Sequence, residues 1–121
     1  MDRDGLLAAC LAQPEAVEEF PFGDDVSVIK VAGKMFALVP VGGELSMSLK
    51  CDPDHAITLR GQYPAVTGGY HLNKKHWNTV RVDGTIPTDQ LVQWIEGSYD
   101  LVVDGLPKAT RLRLQGQVRA L

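Results

Sequence analysis

The hydrophobic positions of this chain recur at two spacings, and each spacing predicts a different kind of element. Near the start, the i, i+1, i+4, i+5 spacing of one helical face is formed by Leu6, Leu7, Cys10 and Leu11. Asp2 or Asp4 can cap this helix, and Pro14 marks its end. The chain is therefore predicted to open with an amphipathic helix.

A second pattern follows, in which three short apolar segments are separated by glycine-containing turns. The predicted strands are Val26–Val31, Lys34–Val41 and Leu45–Lys50. In the third strand the alternation is clean, with Leu45, Met47 and Leu49 on one side and Ser46, Ser48 and Lys50 on the other. Alternation of this kind predicts an antiparallel sheet with one buried face and one wet face.

The second half returns to helices. Asp52-Pro53 is a strong helix start, a capping carboxylate followed by proline, and this helix is predicted to reach about Gly61. Residues 62–77 read mostly as loop with short extended pieces, and Asn78–Asp83 as a strand. A last helix is predicted from Thr88 to about Asp104, whereas the tail 108–121 has no decisive period and is predicted to be partly disordered.

The predicted fold is α+β, with the order α-β-β-β-α-β-β-α. An antiparallel sheet of about five strands with helices packed on one face is the expected two-layer sandwich. A chain of 121 residues fits a single domain, so residues 1–121 are assigned to one domain.

Composition indicates a cytoplasmic protein. At 45% hydrophobic residues the chain can bury a core without disulfides or metals. No apolar run approaches the roughly 20 residues of a membrane span, and the acidic N-terminus does not resemble a secretory signal. Cys10 and Cys51 are far apart in the sequence and form no paired motif. We therefore expect both to be reduced and to pack as small hydrophobic residues, as in a reducing compartment. We expect a monomer that does not bind membranes.

The distribution of charge says more than the net charge of −3. Residues 1–25 hold seven acids and one base, whereas residues 26–83 hold seven bases and four acids. A basic middle framed by acidic segments could produce a one-sided field on an acidic molecule. The alternative is ordinary solvated charge.

No strong catalytic or metal-binding motif is present. The chain lacks a nucleotide-binding glycine motif, a phosphate loop, a nucleophile elbow and a zinc-protease motif. Cys51 and His55 could form a thiol–imidazole pair, but the sequence supplies no third, orienting group. His71 and His76 are five residues apart, which places them on different faces of a helix or a strand. We therefore expect a non-enzymatic protein with no catalytic residues, metal or cofactor.

Residues 70–80 form the most informative segment, because polar, basic and aromatic side chains gather in a predicted loop and strand entry. The candidate nucleic-acid-binding residues there are Asn73, Lys74, Lys75, His76, Trp77 and Asn78. Lysines can hold phosphates, asparagines can contact base edges, and Tyr70 or Trp77 could stack on a base. In the alternative interpretation, Trp77 is buried and Asn73 forms a turn.

A second candidate surface is the wet face of the sheet. Lys50 and Arg81 occupy the polar positions of their strands, and Lys30 and Lys34 could join them. Such a face could lie against a phosphate backbone or an acidic partner.

The string Tyr70-His71-Leu72-Asn73-Lys74-Lys75-His76-Trp77-Asn78-Thr79-Val80 resembles the signature of the MmcQ/YjbR family. Further similar segments are Phe22-Gly23, Lys30-Val31, Gly33-Lys34-Met35-Phe36-Ala37, Leu49-Lys50-Cys51-Asp52-Pro53, Leu101-Val102 and Leu106-Pro107-Lys108. The resemblance spans residues 6 to about 111. It implies a fold called a double wing, likened to the frataxin homologue CyaY, and a DNA-binding role, and it brings no catalytic residues.

Two functions follow as hypotheses. The first is a DNA-binding module that uses the basic loop and the sheet face. The alternative is a protein-interaction or small-ligand-binding module of unknown partner, which an uncovered apolar patch beside Trp77 would favour.

Overall fold

The computed structural model describes residues 1–117, which form four helices and six strands. The helices are α1 (Arg3–Leu11), α2 (Pro53–Gln62), α3 (Thr88–Asp104) and α4 (Lys108–Gln115). The strands are β1 (Val17–Glu19), β2 (Val26–Val31), β3 (Lys34–Pro40), β4 (Ser46–Lys50), β5 (Val66–Gly68) and β6 (Trp77–Arg81). All neighbouring strands are antiparallel, in the order β1-β2-β3-β4-β6-β5.

The core lies between one face of this sheet and the helices. Met47 and Leu49 of β4 are buried there, as their alternation predicted, together with Val80 of β6. Leu6 of α1 and Ile95 of α3 are buried against them. The predicted α+β two-layer sandwich with helices on one face is confirmed.

Two elements differ from the sequence-based expectation. β1 was not predicted, because Val17, Glu18 and Glu19 are all exposed and lack alternation, and the strand is held by pairing with β2. The prediction of disorder for the tail was wrong over Lys108–Gln115, which form α4. Only Leu114 of α4 is buried, and Arg113 forms an ion pair with Glu15, so the support for α4 comes from distant residues. Residues 118–121 of the predicted tail lie outside the described residues.

A β-bulge in β3 shapes the centre of the fold. Ile29 of β2 pairs with Ala37 and the next residue, Lys30, pairs with Met35, so Phe36 is the extra residue. The pairing of β3 with β4 covers only Ala37 with Leu49 and Leu38 with Ser48. The two strands therefore part where β3 begins and β4 ends.

Ser98 of α3 bridges the two strands at this point. Its hydroxyl donates to the carbonyl oxygen of Phe36 at 2.5 Å and accepts from the backbone N–H of Lys50 at 2.8 Å. Ser98 is 1% exposed, so its hydroxyl is buried. The hydroxyl thus satisfies two backbone groups that the opened ladder leaves without strand partners.

We expect Ser98→Ala to lower the free energy of unfolding by about 2–4 kcal/mol, because it strands a buried carbonyl and a buried N–H. Chemical denaturation measures this change. The matched control is Gly97→Ala on the same helix, where the added methyl group meets no atom within 4 Å. That control should stabilise the protein by up to about 1 kcal/mol. Equal stability of Ser98→Ala and wild type would contradict the bridge.

Candidate nucleic-acid interface at one end of the sheet

The helix-free face of the sheet carries an apolar cluster. Val28, Leu38 and Trp77 are buried there, and Met35 and Leu72 pack against them. Leu72 belongs to the loop between β5 and β6. The sequence predicted a wet face from the polar positions of β4 and β6, and this prediction was wrong for β2 and β3, where Val28 and Leu38 are buried on the same face.

The polar positions on this face are also partly covered. Ser48 is 7% exposed, and its hydroxyl lies 2.8 Å from that of Thr79 on the adjacent strand. The Thr79 hydroxyl also accepts from the backbone N–H of Tyr70 at 2.9 Å. These bonds fasten the start of the loop onto the sheet, while the Tyr70 ring stays 72% exposed beside His71.

Asn73 organises the loop, as the turn alternative expected. Its side-chain oxygen accepts from the backbone N–H of Lys75 at 2.9 Å. Its backbone carbonyl accepts from the N–H groups of His76 at 3.1 Å and Trp77 at 2.9 Å. An asparagine with both oxygens engaged in this way forms a turn.

Lys74 folds back over its own loop. Its ammonium group donates to the carbonyl oxygen of Gly69 at 3.2 Å, and its stem lies against Gly68. The Lys74 carbonyl accepts from the Arg60 guanidinium. Lys75, by contrast, is exposed, and its ammonium group has no ion-pair partner within residues 1–117.

Trp77 and Asn78 point to opposite faces of β6, and neither offers a base-reading surface. Trp77 is 8% exposed within the apolar cluster. Asn78 is 3% exposed; its side-chain oxygen accepts from Arg60 Nε at 2.7 Å, and its amide donates to the carbonyl of Ala56 at 3.3 Å. The hypothesis that Asn78 contacts base edges and Trp77 stacks on a base therefore conflicts with their burial. These side chains instead hold β6, α2 and the loop together.

The strand register brings most of the lysines to one end of the sheet. Lys30 pairs with Met35, Lys50 pairs with Trp77, and Lys34 begins β3. Because neighbouring strands are antiparallel, the end of β2, the start of β3, the end of β4 and the start of β6 coincide. We call this the lysine end, formed by Lys30, Lys34, Lys50, Lys74 and Lys75.

Arg81 does not belong to the lysine end. It closes β6, four residues beyond Trp77 and so about 13 Å along the strand. Its guanidinium lies 3.1 Å from the Asp83 carboxylate and 3.5 Å from that of Glu44. The candidate residues predicted on the sheet are therefore divided between two ends, and Arg81 is neutralised at the far one.

A groove between α2 and α3 contains the Cys51–His55 pair. The Cys51 sulfur lies 3.5 Å from His55 Nδ1, in a cavity of about 240 Å³ whose wall includes Trp94 and Gly97. Burial raises the pKa of the Cys51 thiol above its usual value, and the neighbouring Asp52 carboxylate raises it further. The thiol is therefore protonated at neutral pH, which does not suit a nucleophile.

Metal-ligating side chains are scattered over residues 1–117. No three His, Cys, Asp or Glu side chains gather there as a metal site requires.

Within residues 1–117, no helix combines the length and apolar character that a membrane crossing needs. Cys10 is buried in the core, and this burial raises its pKa to about 12.

The fold and the lysine end define a class of small α+β protein, with an antiparallel sheet covered by helices on one face only. Residues 11–101 match the YjbR family model. The chain is 37% identical over 107 residues to the Escherichia coli K12 uncharacterized protein YjbR, covering 88% of this chain and 91% of that protein. It is 38% identical over 97 residues to YbdF of Escherichia coli O157:H7, covering 79% and 80% respectively. The chain belongs to the YjbR family.

Two solved structures have a similar fold. The crystal structure of Deinococcus radiodurans protein DR2400 superposes with a TM-score of 0.86 at 42% identity, covering 98% of this chain and 90% of that one. A Pseudomonas syringae protein shares the fold with a TM-score of 0.71 at 24% identity, covering 84% and 98% respectively.

Gly69 lets the loop close on β6, so we expect Gly69→Ala to destabilise the protein by about 1–3 kcal/mol. A methyl group there would lie 2.7 Å from Trp77 Cβ, closer than atoms can pack. Denaturant unfolding measures the loss, and the indole N–H resonance of Trp77 should shift. Gly42→Ala is the control, because its methyl group meets nothing within 4 Å. A Gly69→Ala protein as stable as that control would contradict the packing.

Proposed function

We propose that this protein is a non-enzymatic DNA-binding module that contacts the phosphate backbone through the lysine end of its sheet. The observation that carries the proposal is the strand register. It collects lysines from four separate segments onto one end of the sheet. Such a collection can neutralise several phosphates at once, which is the main source of non-specific affinity for DNA.

The pattern of ion pairs also leaves lysines of the lysine end free to bind phosphate. Within residues 1–117, the ammonium groups of Lys34, Lys50 and Lys75 have no ion-pair partner, whereas Lys30 lies 3.2 Å from the Glu19 carboxylate. Asp52 also lies near this end, but its carboxylate accepts from backbone N–H groups at the start of α2. Three lysines therefore remain available to phosphate.

The opposite end of the sheet is acidic. The loops there, before β2, before β4 and after β6, carry Asp24, Asp25, Glu44 and Asp83. Hydrogen bonds from Thr85, first from its side chain and then from its backbone N–H, lower the pKa of Asp83 to about 2, so this carboxylate stays charged at neutral pH. An acidic molecule with five lysines at one end of its sheet can orient that end towards a polyanion despite its net charge of −3.

The proposed binding is independent of sequence. The available groups are lysines, which recognise phosphate as point charges, whereas Trp77 and Asn78 are buried. Contacts to phosphate fix the position of a protein on DNA without reading its bases. The protein should therefore bind unrelated duplexes with similar, salt-sensitive affinity.

We expect the triple variant Lys34→Ala/Lys50→Ala/Lys75→Ala to bind two unrelated DNA duplexes more weakly, and to the same extent on both. Fluorescence anisotropy across a salt series measures the affinity. The slope of log K against log salt should become shallower by about 0.9 for each phosphate that the variant no longer neutralises.

Arg81→Ala is the matched control for this series, because Arg81 lies at the far end and is paired with Glu44 and Asp83. Its affinity and salt slope should equal those of wild type. Anisotropy that does not rise for the wild-type protein at low salt would refute the proposed function, as would an Arg81→Ala loss equal to that of the triple variant.

A further inference from the structure

A cavity of about 340 Å³ opens at the lysine end, beside the ends of the strands and the C-terminal part of α3. Its lining includes Lys34, Met35, Lys50, Trp77, Leu101 and Leu106. Its volume falls within the range of about 300–1,000 Å³ that small-molecule sites occupy. The cavity adjoins the α2–α3 groove that contains Cys51 and His55, and Lys50 and Leu101 line both.

The fold explains why space is present here. The bulge at Phe36 ends the pairing of β3 with β4, so Met35 and Lys50 lie on strands that have parted. Ser98 bridges Phe36 and Lys50 by hydrogen bonds but does not line this cavity. The adjoining space stays open between the side chains of the described residues.

The segments that line the cavity are among those that carry the family resemblance. Gly33–Ala37 contributes Lys34 and Met35, and Leu49–Pro53 contributes Lys50. Tyr70–Val80 contributes Trp77, and the segment from Leu101 to Lys108 contributes the α3 wall. These segments are far apart in the chain, and the fold brings them to this one place.

The lining residues fit a ligand that combines an anionic group with a flat apolar group. Two lysine side chains suit a phosphate, whose double negative charge matches them better than a single carboxylate would. A methionine thioether and leucine side chains suit a flat aromatic group, while Trp77, 8% exposed, borders the cavity without offering its ring face. A nucleotide combines a phosphate with a planar base, and the cavity has room for about one such unit.

We propose that this cavity binds one 5′-phosphorylated nucleotide, with the phosphate at Lys34 and Lys50 and the base against Met35, Leu101 and Leu106. The inference rests on the proposed function for its ligand class. The nucleotide could be free or could be the terminal residue of a DNA strand, and the two sources share the same chemistry.

The test is an NMR titration of the ¹⁵N-labelled full chain with thymidine 5′-monophosphate. Shifts should concentrate on the amides of Lys34, Met35 and Lys50 and on the Trp77 indole N–H. Thymidine alone and inorganic phosphate alone, each lacking half of the ligand, should bind at least about tenfold more weakly. Lys34→Ala should weaken binding by a similar factor, because Lys34 is exposed and its loss leaves the core intact.

Lys75→Ala is the matched control, since Lys75 belongs to the lysine end but does not line the cavity. It should weaken the binding of long DNA and leave the mononucleotide affinity unchanged. The source is resolved with one oligonucleotide prepared with and without a 5′-phosphate. Tighter binding of the phosphorylated strand identifies a strand terminus, and equal binding identifies the free nucleotide.

Three results would overturn the inference: no shifts at these residues at millimolar nucleotide, phosphate alone binding as tightly as the nucleotide, or equal losses in Lys34→Ala and Lys75→Ala. The proposed function is judged separately by duplex binding. If the protein binds duplex DNA but not the nucleotide, the proposed DNA-binding function stands and the proposed cavity ligand is refuted. If the protein binds the nucleotide but not duplex DNA, the proposed cavity ligand stands and the proposed DNA-binding function is refuted.

Discussion

The buried hydroxyl of Ser98 is the interaction on which the centre of this structure depends. It donates to Phe36 and accepts from Lys50, at the place where a bulge separates β3 from β4. An opened ladder inside a protein leaves backbone groups that water cannot reach, and each unsatisfied group costs about 1–3 kcal/mol. The hydroxyl removes this cost and anchors α3 to the sheet. The fold therefore tolerates the bulge at Phe36 and the separation of β3 and β4 beyond the Ala37–Leu49 pair.

The same opening creates the most distinctive surface of the molecule. Because β3 and β4 diverge, Met35 and Lys50 border a cavity instead of packing together. The antiparallel register then adds lysines from β2, β3, β4 and the loop before β6, while acids occupy the loops at the opposite end. The sheet is therefore polarised along its strands, with five lysines at the end that has the cavity and Asp24, Asp25, Glu44 and Asp83, two of them paired with Arg81, at the opposite end.

Most of the fold was predictable because it is encoded locally. The Leu45–Lys50 alternation, the Asp52-Pro53 helix start and the long apolar stripe of α3 each depend on residues close in sequence. The failures share one physical cause, which is support from distant residues. β1 is a strand because β2 pairs with it, and α4 is a helix that packs on α3 and pairs Arg113 with Glu15.

For the candidate site, the sequence by itself determined the family, the residue types and the segment 70–80, which holds most of the candidate binding residues. It could not decide which of those residues reach solvent, because one-residue alternation along β6 sends Trp77 and Asn78 to opposite faces, and both faces proved to be covered. Only the tertiary structure separated Lys75, which is exposed, from Lys74, which is bonded to its own loop, and from Arg81, which is paired at the far end. The reason is that charge and shape at a surface depend on strand register, and register is a property of the assembled sheet.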